Sequence, residues 1–244
     1  MKEISICHLY PDILNLYGDR GNIIAMTRRL EWRGIAVYLN EVPLGEPLDY
    51  GKYDIFFIGG GQDFEQQILL KDLSCGKSAA IKDAVEAEKT FLCICAGYQL
   101  MGSYYKTRDN IEIPFIGAMD FHTIGQTERM IGDYMFICKP SERGMAVVGF
   151  ENHSGKTYLG SGVRPLGEVL KGFGNNGEDL TEGARYKNVF CSYAHGSLLP
   201  KNPMLCDHIL KTALYAKYGE FELPILDDFF ENKAHAYISS RLSR

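Results

Sequence analysis

The sequence predicts an α/β protein in which a central, mostly parallel sheet is flanked by helices in three layers. Tyr53–Ile58 and Thr90–Ile94 are short, almost continuously apolar runs, the pattern required of strands covered on both faces. Between such runs lie stretches with helical spacing, Ile23, Met26 and Leu30 among them, so strands and helices alternate as in a parallel sheet. Each apolar run also ends abruptly in small residues, Gly59-Gly60-Gly61 and Cys95-Ala96-Gly97, as strands do when they turn sharply into a loop or helix.

In chain order, Glu3–Tyr10 alternates and forms a first strand. Tyr17–Asn22 is a glycine-containing turn into a helix that Gly34 terminates, and Ile35–Tyr38 is a second strand. After the run at Tyr53–Ile58 comes a helix over Lys77–Glu88, then Thr90–Ile94, which enters Cys95-Ala96-Gly97-Tyr98-Gln99. From Arg108 to about Cys191 the pattern changes to β-like segments broken by glycine, with Phe115-Ile116, Met135–Ile137, Ala146–Val148 and Val189-Phe190 among them. This half is expected to be mixed or antiparallel. Asn202-Pro203 opens a helix with an apolar stripe of Cys206, Ile209, Leu210 and Ala213 that stops at Gly219, and a last helix begins near Asp227. With neither an internal repeat nor a Pro/Ser-rich linker, residues 1–244 are expected to form one domain, with its core over about 4–203 and C-terminal helices over 203–244.

A formal net charge of −5, with no long Lys/Arg run, gives nucleic acid no general electrostatic reason to bind. The opening MKEISICHLY lacks the apolar core of a signal peptide, and no run approaches the roughly 20 apolar residues of a membrane span. Seven scattered cysteines form no framework of pairs, so a reducing cytoplasm is the expected location. Cys93-Ile94-Cys95 is the one tight pair, and without a second Cys/His pair at ligand spacing no metal site is expected.

Cys95 carries the chemistry. A thiol with an ordinary pKa of about 8.5 is mostly protonated at neutral pH, so a nucleophilic cysteine needs a helix N-terminus, a nearby histidine, or both. Cys95 stands at a strand-to-helix turn whose Ala96 and Gly97 leave room for substrate and for a strained backbone. That is the logic of a nucleophile elbow, in which the N–H after the nucleophile points at the oxyanion. Ala96 N–H is the predicted donor, and Gly60 or Gly61 supplies the second. The alternative reading of Gly59-Gly60-Gly61 as a phosphate loop lacks the Gly-Lys-Ser/Thr such loops require.

These residues resemble a known family. Cys95-Ala96-Gly97-Tyr98-Gln99 is similar to the C-x-G-x-Q nucleophile motif of class I (triad-type) glutamine amidotransferases, and Tyr193–Ser197 to their histidine motif. His8–Asp12, Asn15–Asn22, Gly59–Asp63 and Gly149–His153 resemble the branch related to cobyric acid synthases. Within that branch they are most similar to the glutaminase subunits of lipid II isoglutaminyl synthases. The resemblance implies the flavodoxin-like class I amidotransferase fold. It further implies that Cys95 attacks the glutamine side-chain amide, that Ala96 and Gly60 hold the oxyanion, and that His195 moves the proton. At the position of Arg129 the subfamily has an arginine that binds the substrate glutamine, as a bidentate grip on its α-carboxylate allows. Gln99 is assigned to substrate binding, with bracing of the elbow as its other role.

Most class I members carry a Glu two residues after the histidine, where this chain has Ser197. The resemblance therefore suggests an acid lent by a partner, with Glu151 and Asp120 as candidates within the chain. The implied partner is a Mur-ligase-like synthetase of the MurT type, forming a heterodimer, bringing ATP and magnesium, and amidating the D-glutamate of lipid II. No cofactor is expected in this chain. A cobalamin-type acceptor, a different amide substrate and a non-catalytic scaffold are the alternatives. His8 and His153 are expected either to line the pocket or to be structural.

Overall fold

The structure, a computed structural model, describes residues 2–15, 18–61, 65–139 and 144–243. Leu16, Tyr17, Gln62 and Asp63, which form part of the motifs above, lie outside the described residues.

The strands and helices follow in the order β1 (Glu3–Leu9), α1 (Arg20–Glu31), β2 (Ala36–Val42), β3 (Ile55–Ile58), α2 (Glu65–Asp72), α3 (Ser78–Glu86), β4 (Thr90–Ile94) and α4 (Ala96–Leu100). Next come β5 (Tyr104–Lys106), β6 (Glu112–Pro114), β7 (Phe121–Cys138), β8 (Met145–Leu159), β9 (Gly167–Lys171), β10 (Thr181–Glu182), β11 (Ala184–Tyr186) and β12 (Val189–Ser192). The chain closes with α5 (Leu198–Lys201), α6 (Pro203–Tyr218) and α7 (Phe229–Leu242).

One six-stranded sheet has the order β11-β12-β4-β3-β1-β2, parallel throughout except for the antiparallel edge strand β11. Its central strands β3 and β4 are buried at every position, as their continuous apolar sequences require. Phe56 and Phe91 stack face to face between them, with centroids 4.5 Å apart. Against this sheet α1 presents Ile23, Met26 and Leu30, and α6 presents Cys206, Ile209, Leu210 and Ala213, all buried. Burying each of the Ile, Met and Leu side chains among them stabilises the fold by about 1.5–3 kcal/mol.

A second sheet, β10-β9-β7-β5-β6 with β8 paired to β7, fills the middle of the chain. It is mixed, with β5 parallel to β7 and the remaining pairs antiparallel, as expected from the sequence. Its two main strands are longer than the glycine-broken pattern suggested, 18 residues in β7 and 15 in β8. Glycines 125, 132, 149 and 155 lie within these strands instead of ending them. Val189-Phe190 also departs from expectation. As part of β12 it pairs in parallel with β4 in the first sheet, Val189 opposite Phe91.

Two polar anchors tie the C-terminal helices to the core. Asn202 precedes Pro203 as expected, yet its side chain does not cap α6. Its Oδ1 accepts from Val148 N at 2.8 Å, and its Nδ2 donates to Val148 O and Leu198 O. Arg29 on α1 is buried, and its guanidinium holds both Asp207 of α6 and Asp228 before α7 at 2.6–2.7 Å. Two carboxylates offset the cost of burying one guanidinium, whereas removing it strips Asp228 of its arginine and leaves Asp207 with Arg33 alone, at 2.6 Å. Arg29→Ala is therefore expected to lower stability by about 2–3 kcal/mol, discounted because both carboxylates keep some solvent. Thermal unfolding should report a Tm lower by roughly 5–10 °C.

Candidate active site

Three strand ends and one helix start converge at the carboxyl edge of the parallel sheet, where open α/β folds place their ligands. β4 delivers Cys95, β3 delivers Gly59 and Gly60, β12 leads into His195, and the turn before α1 delivers Asp19.

Cys95 has φ 49° and ψ −105°, a left-handed conformation that a side chain rarely adopts. Surrounding bonds hold it there. Cys95 N donates to Ser192 O at 2.9 Å, Gly97 N to Gly59 O at 3.1 Å and Gln99 N to Cys95 O at 2.9 Å. A Cβ at Gly97 would collide with the carbonyl oxygen of Ile58, so only glycine lets the elbow pack this closely on β3. Strand alternation places Cys93 and Cys95 on one face, but the turned backbone separates their roles. Cys93 is fully buried opposite Cys191 in β12, while Cys95 keeps 8% exposure.

His195 is fully buried. Its backbone forms a bridge to Phe150 of β8, with His195 N donating to Phe150 O at 2.7 Å. The preceding turn is fixed by buried Glu182, which accepts from Ser192 Oγ at 2.6 Å and Tyr193 N at 3.1 Å. A Cβ built on Gly60 would lie 2.7 Å from His195 Cε1 and 3.5 Å from Cys95 Cβ, so the loop after β3 forms the wall against which thiol and imidazole meet. Burial pulls the imidazole pKa down, but the negative charge of Cys95 and the hydrogen-bonding carboxylate of Asp19 outweigh it and hold the pKa near 10. With its pKa raised, His195 carries the proton that a leaving group can take up.

Asp19 is also fully buried, with Oδ1 3.5 Å from His195 Nδ1 and Oδ2 accepting from Gly60 N at 2.7 Å. It occupies the N-cap position of α1 but makes no capping bond with its side chain. The two intrachain acids named from the sequence are placed elsewhere. Glu151 accepts from Phe173 N at 2.7 Å and Gly174 N at 3.1 Å, and Asp120 accepts from Gly162 N at 3.2 Å in the turn after β8. Sequence reasoning read Asp19 only as a turn residue. The available signal was an N-cap acid beside two glycines in a motif already singled out.

Of the other predicted residues, Ala96 is the first residue of α4, so its N–H lacks an intrahelical acceptor. Gly60 N–H, the second predicted oxyanion donor, points at Asp19. Gln99 is buried, and its amide donates to Tyr193 Oη at 3.1 Å. That hydroxyl also bonds Thr157 Oγ1 at 2.7 Å, and Thr157 bonds Thr123. Of its two roles, the geometry supports bracing of the elbow. Arg129 is exposed on β7 where its pairing with β8 shifts register, and its Nε donates to Asn152 Oδ1 at 2.8 Å. β8 thus links Arg129 to the site, because Asn152 lies two residues beyond Phe150, the partner of His195. His153 is buried and stacked on Tyr193 at 3.6 Å with Nδ1 against Gly155 O, a structural role. His8 is buried beside Phe57, its pKa lowered to about 4 by burial and then by Arg20. Among the described residues no group of three or more His, Cys, Asp or Glu could hold a metal ion, and no helix is long and apolar enough to cross a membrane.

A strained cysteine on a nucleophile elbow, a protonated histidine and a buried carboxylate define a hydrolase-type site for acyl transfer from an amide or ester. The comparisons place the chain more closely. The model of the CobB/CobQ-like glutamine amidotransferase domain matches residues 5–203, and the chain belongs to that family. It is 41% identical over 244 residues to the lipid II isoglutaminyl synthase (glutamine-hydrolyzing) subunit GatD of Staphylococcus aureus, covering 100% of this chain and 98% of that one. Its identity to the subunit of the same name from Streptococcus pneumoniae is 40% over 233 residues, covering 95% and 88%. Similarity to the cobyric acid synthase of Pelotomaculum thermopropionicum is weaker, 30% over 190 residues and only 34% of that protein. Among solved structures, PurLQS from Thermotoga maritima superposes with a TM-score of 0.58 at 17% identity, over 88% of this chain and 97% of that one. The fold is that of class I glutamine amidotransferases.

Gly60→Ala tests the wall between thiol and imidazole. The added methyl meets the buried side chains of His195 and Asp19 but no backbone within 3.5 Å, so the Tm is expected to fall by a few degrees, as overpacking entails, while amide-hydrolysing turnover falls at least tenfold because the catalytic groups are displaced.

Proposed function

We propose that this chain is the glutamine-hydrolysing subunit of a lipid II isoglutaminyl synthase, releasing ammonia for a synthetase partner. The observation that carries the reading is the buried Cys95–His195 pair on a strained elbow, in a chain that matches the glutaminase subunits over its whole length. Residues 1–244 act in this reading as one amidotransferase domain.

The reaction uses Cys95 and His195 in turn. Cys95 thiolate attacks the side-chain carbonyl carbon of glutamine, and the carbonyl electrons move onto oxygen. Ala96 N–H stabilises that oxyanion together with the amide of Gly61, since the Gly60 amide is engaged by Asp19. Protonated His195 donates to the amide nitrogen, the carbon–nitrogen bond breaks, and ammonia leaves a γ-glutamyl thioester on Cys95. The neutral imidazole then takes a proton from water as its oxygen attacks the thioester. Cleavage of the carbon–sulfur bond releases glutamate and regenerates the thiolate beside protonated His195. Arg129, whose Nε donates to Asn152 Oδ1 at 2.8 Å, holds the α-carboxylate of glutamine in this reading.

The partner in this reading is a Mur-ligase-like synthetase in a heterodimer. It supplies the ATP and magnesium chemistry that activates the D-glutamate carboxyl of lipid II in the cytoplasm. Its identity is tested by pull-down followed by an amidation assay with lipid II, glutamine and ATP. Failure to amidate, with glutamine still hydrolysed, would point to another acceptor.

Glutamate release from glutamine tests the chemistry itself. Cys95→Ala should abolish it, and His195→Asn should lower kcat/KM by about 10²–10⁴-fold, the usual contribution of general acid–base catalysis. Wild-type kcat/KM should persist on the alkaline side until His195 loses its proton near pH 10. Arg129→Ala should raise KM at least tenfold with kcat changed less. A Cys95→Ala variant that still hydrolyses glutamine would contradict the proposal.

A further inference from the structure

We infer that the cleft where the edge strand β11 meets the ends of β7 and β9 binds a phosphate dianion, free or carried on a small ester, in the grip of Arg164 and Arg185. None of the residues lining this cleft belongs to the catalytic group, and the inference stands whatever reaction Cys95 and His195 perform.

Arg164, between β8 and β9, stands opposite Arg185 of β11 in an antiparallel bridge. Arg164 N donates to Arg185 O at 3.2 Å, and Arg185 N donates to Arg164 O at 2.7 Å. Side chains so opposed leave the bridge on one face, where two like charges repel. Among the described residues neither guanidinium meets a carboxylate. Arg185 lies flat on Phe190, its Cζ 3.5 Å from the ring centroid, and its one hydrogen bond runs from Nη1 to Val189 O at 3.3 Å. Stacking occupies the face of the guanidinium and leaves most of its N–H groups, which point outward in its plane, for another acceptor. Burial, and then the charge of Arg164, lower the Arg185 pKa to about 10. The pair is thus a concentration of positive charge that the chain itself does not compensate.

The cleft has a volume of about 340 Å³, which suits a small ligand. Lys139, just after β7, and Glu168 of β9 also line it, but they face each other at 3.5 Å with both side chains mostly exposed. Their charges cancel, so the two arginines set the charge of the cleft. Its remaining titratable groups are neutral. Burial pushes the Cys138 thiol up to about 11, and burial, with Arg185 and then Lys211 beside it, brings the His208 imidazole down to about 4. His208 stands edge-on to Phe190, ring centroids 5.5 Å apart, and adds a polar ring to the lining. Two guanidinium charges are matched by a dianion, and a phosphate monoester carries about −1.5 to −2 at pH 7. A monocarboxylate would neutralise only one of them. Each guanidinium also offers the forked pair of donors that phosphate oxygens accept. Ile137, Pro165 and Leu166 give the cleft an apolar side with room for the organic part of a small ester.

The test is calorimetric titration of the full-length protein with inorganic phosphate and with glycerol 3-phosphate, at constant ionic strength, with succinate as the dicarboxylate reference. Saturable binding of one phosphate group per chain is expected, about tenfold or more tighter than succinate. Arg164→Gln and Arg185→Gln should each weaken it by about tenfold or more, because each removes charge-assisted hydrogen bonds. Arg185→Lys should weaken it as well, since an ammonium keeps the charge and loses the fork. Arg108→Gln, at an exposed arginine outside the cleft, should leave the affinity unchanged. Phosphate should also raise the Tm of the wild type and not that of the Arg164→Gln variant. If Arg185→Gln does not fold, the exposed Arg164 decides alone. Tighter binding of the ester would assign the apolar side to its organic part, and equal binding would assign the site to the free ion; both support the inference. No saturable binding of either phosphate below about 10 mM, affinity that survives both arginine substitutions, or succinate bound as tightly as phosphate would overturn it.

Discussion

An imidazole buried between the side chains of Cys95 and Asp19 is the constraint around which the catalytic end of the molecule is arranged. A charge on any of the three would be expensive alone in such an interior, and opposite charges together offset one another. His195 keeps its proton because Cys95 and Asp19 outweigh the penalty of its own burial. The fold meets this constraint by bringing four separate segments to one sheet edge, and it relies on small residues where they touch. Gly97 lets the elbow press on β3, Gly60 leaves space for the ring, and Gly21 admits Ser197.

Behind the reacting groups lies a buried polar scaffold. Gln99, Tyr193, Thr157 and Thr123 form one hydrogen-bonded series, and Glu182 fixes the turn that leads to His195. Such fully engaged networks fix geometry more than they add stability. Here they define the direction of the elbow and of the histidine strand relative to each other. Energy for holding a strained φ at Cys95 comes from this surround and from the apolar contacts of β3 and β4.

The parallel sheet was legible in the sequence because strands buried on both faces leave nearly unbroken apolar runs, as Tyr53–Ile58 and Thr90–Ile94 do. Cys95 and His195 were legible because their motifs are local and their chemistry demands particular neighbours. The length of β7 and β8 was hidden by internal glycines, which mark close approach to Tyr105, Ala194 and Gln99 instead of strand ends. β12 was grouped with the wrong half because four residues say nothing of which sheet they join. Asp19 was missed for a related reason. An aspartate before a helix ordinarily caps it, and only the packing of α1 against the histidine turn shows that this side chain faces inward. Glu151 and Asp120, the acids named from the sequence, bind backbone amides elsewhere, and the carboxylate nearest His195 within the chain comes from the start of α1.

The central claim is that Cys95, activated by His195, is the nucleophile toward glutamine. It is tested most directly by treating the protein with a glutamine-analogue alkylator, 6-diazo-5-oxo-L-norleucine, and locating the adduct by peptide mass spectrometry. One adduct per chain, on Cys95, with protection by excess glutamine, is the result expected. Labelling of another cysteine, or none under conditions where the protein hydrolyses glutamine, would contradict it.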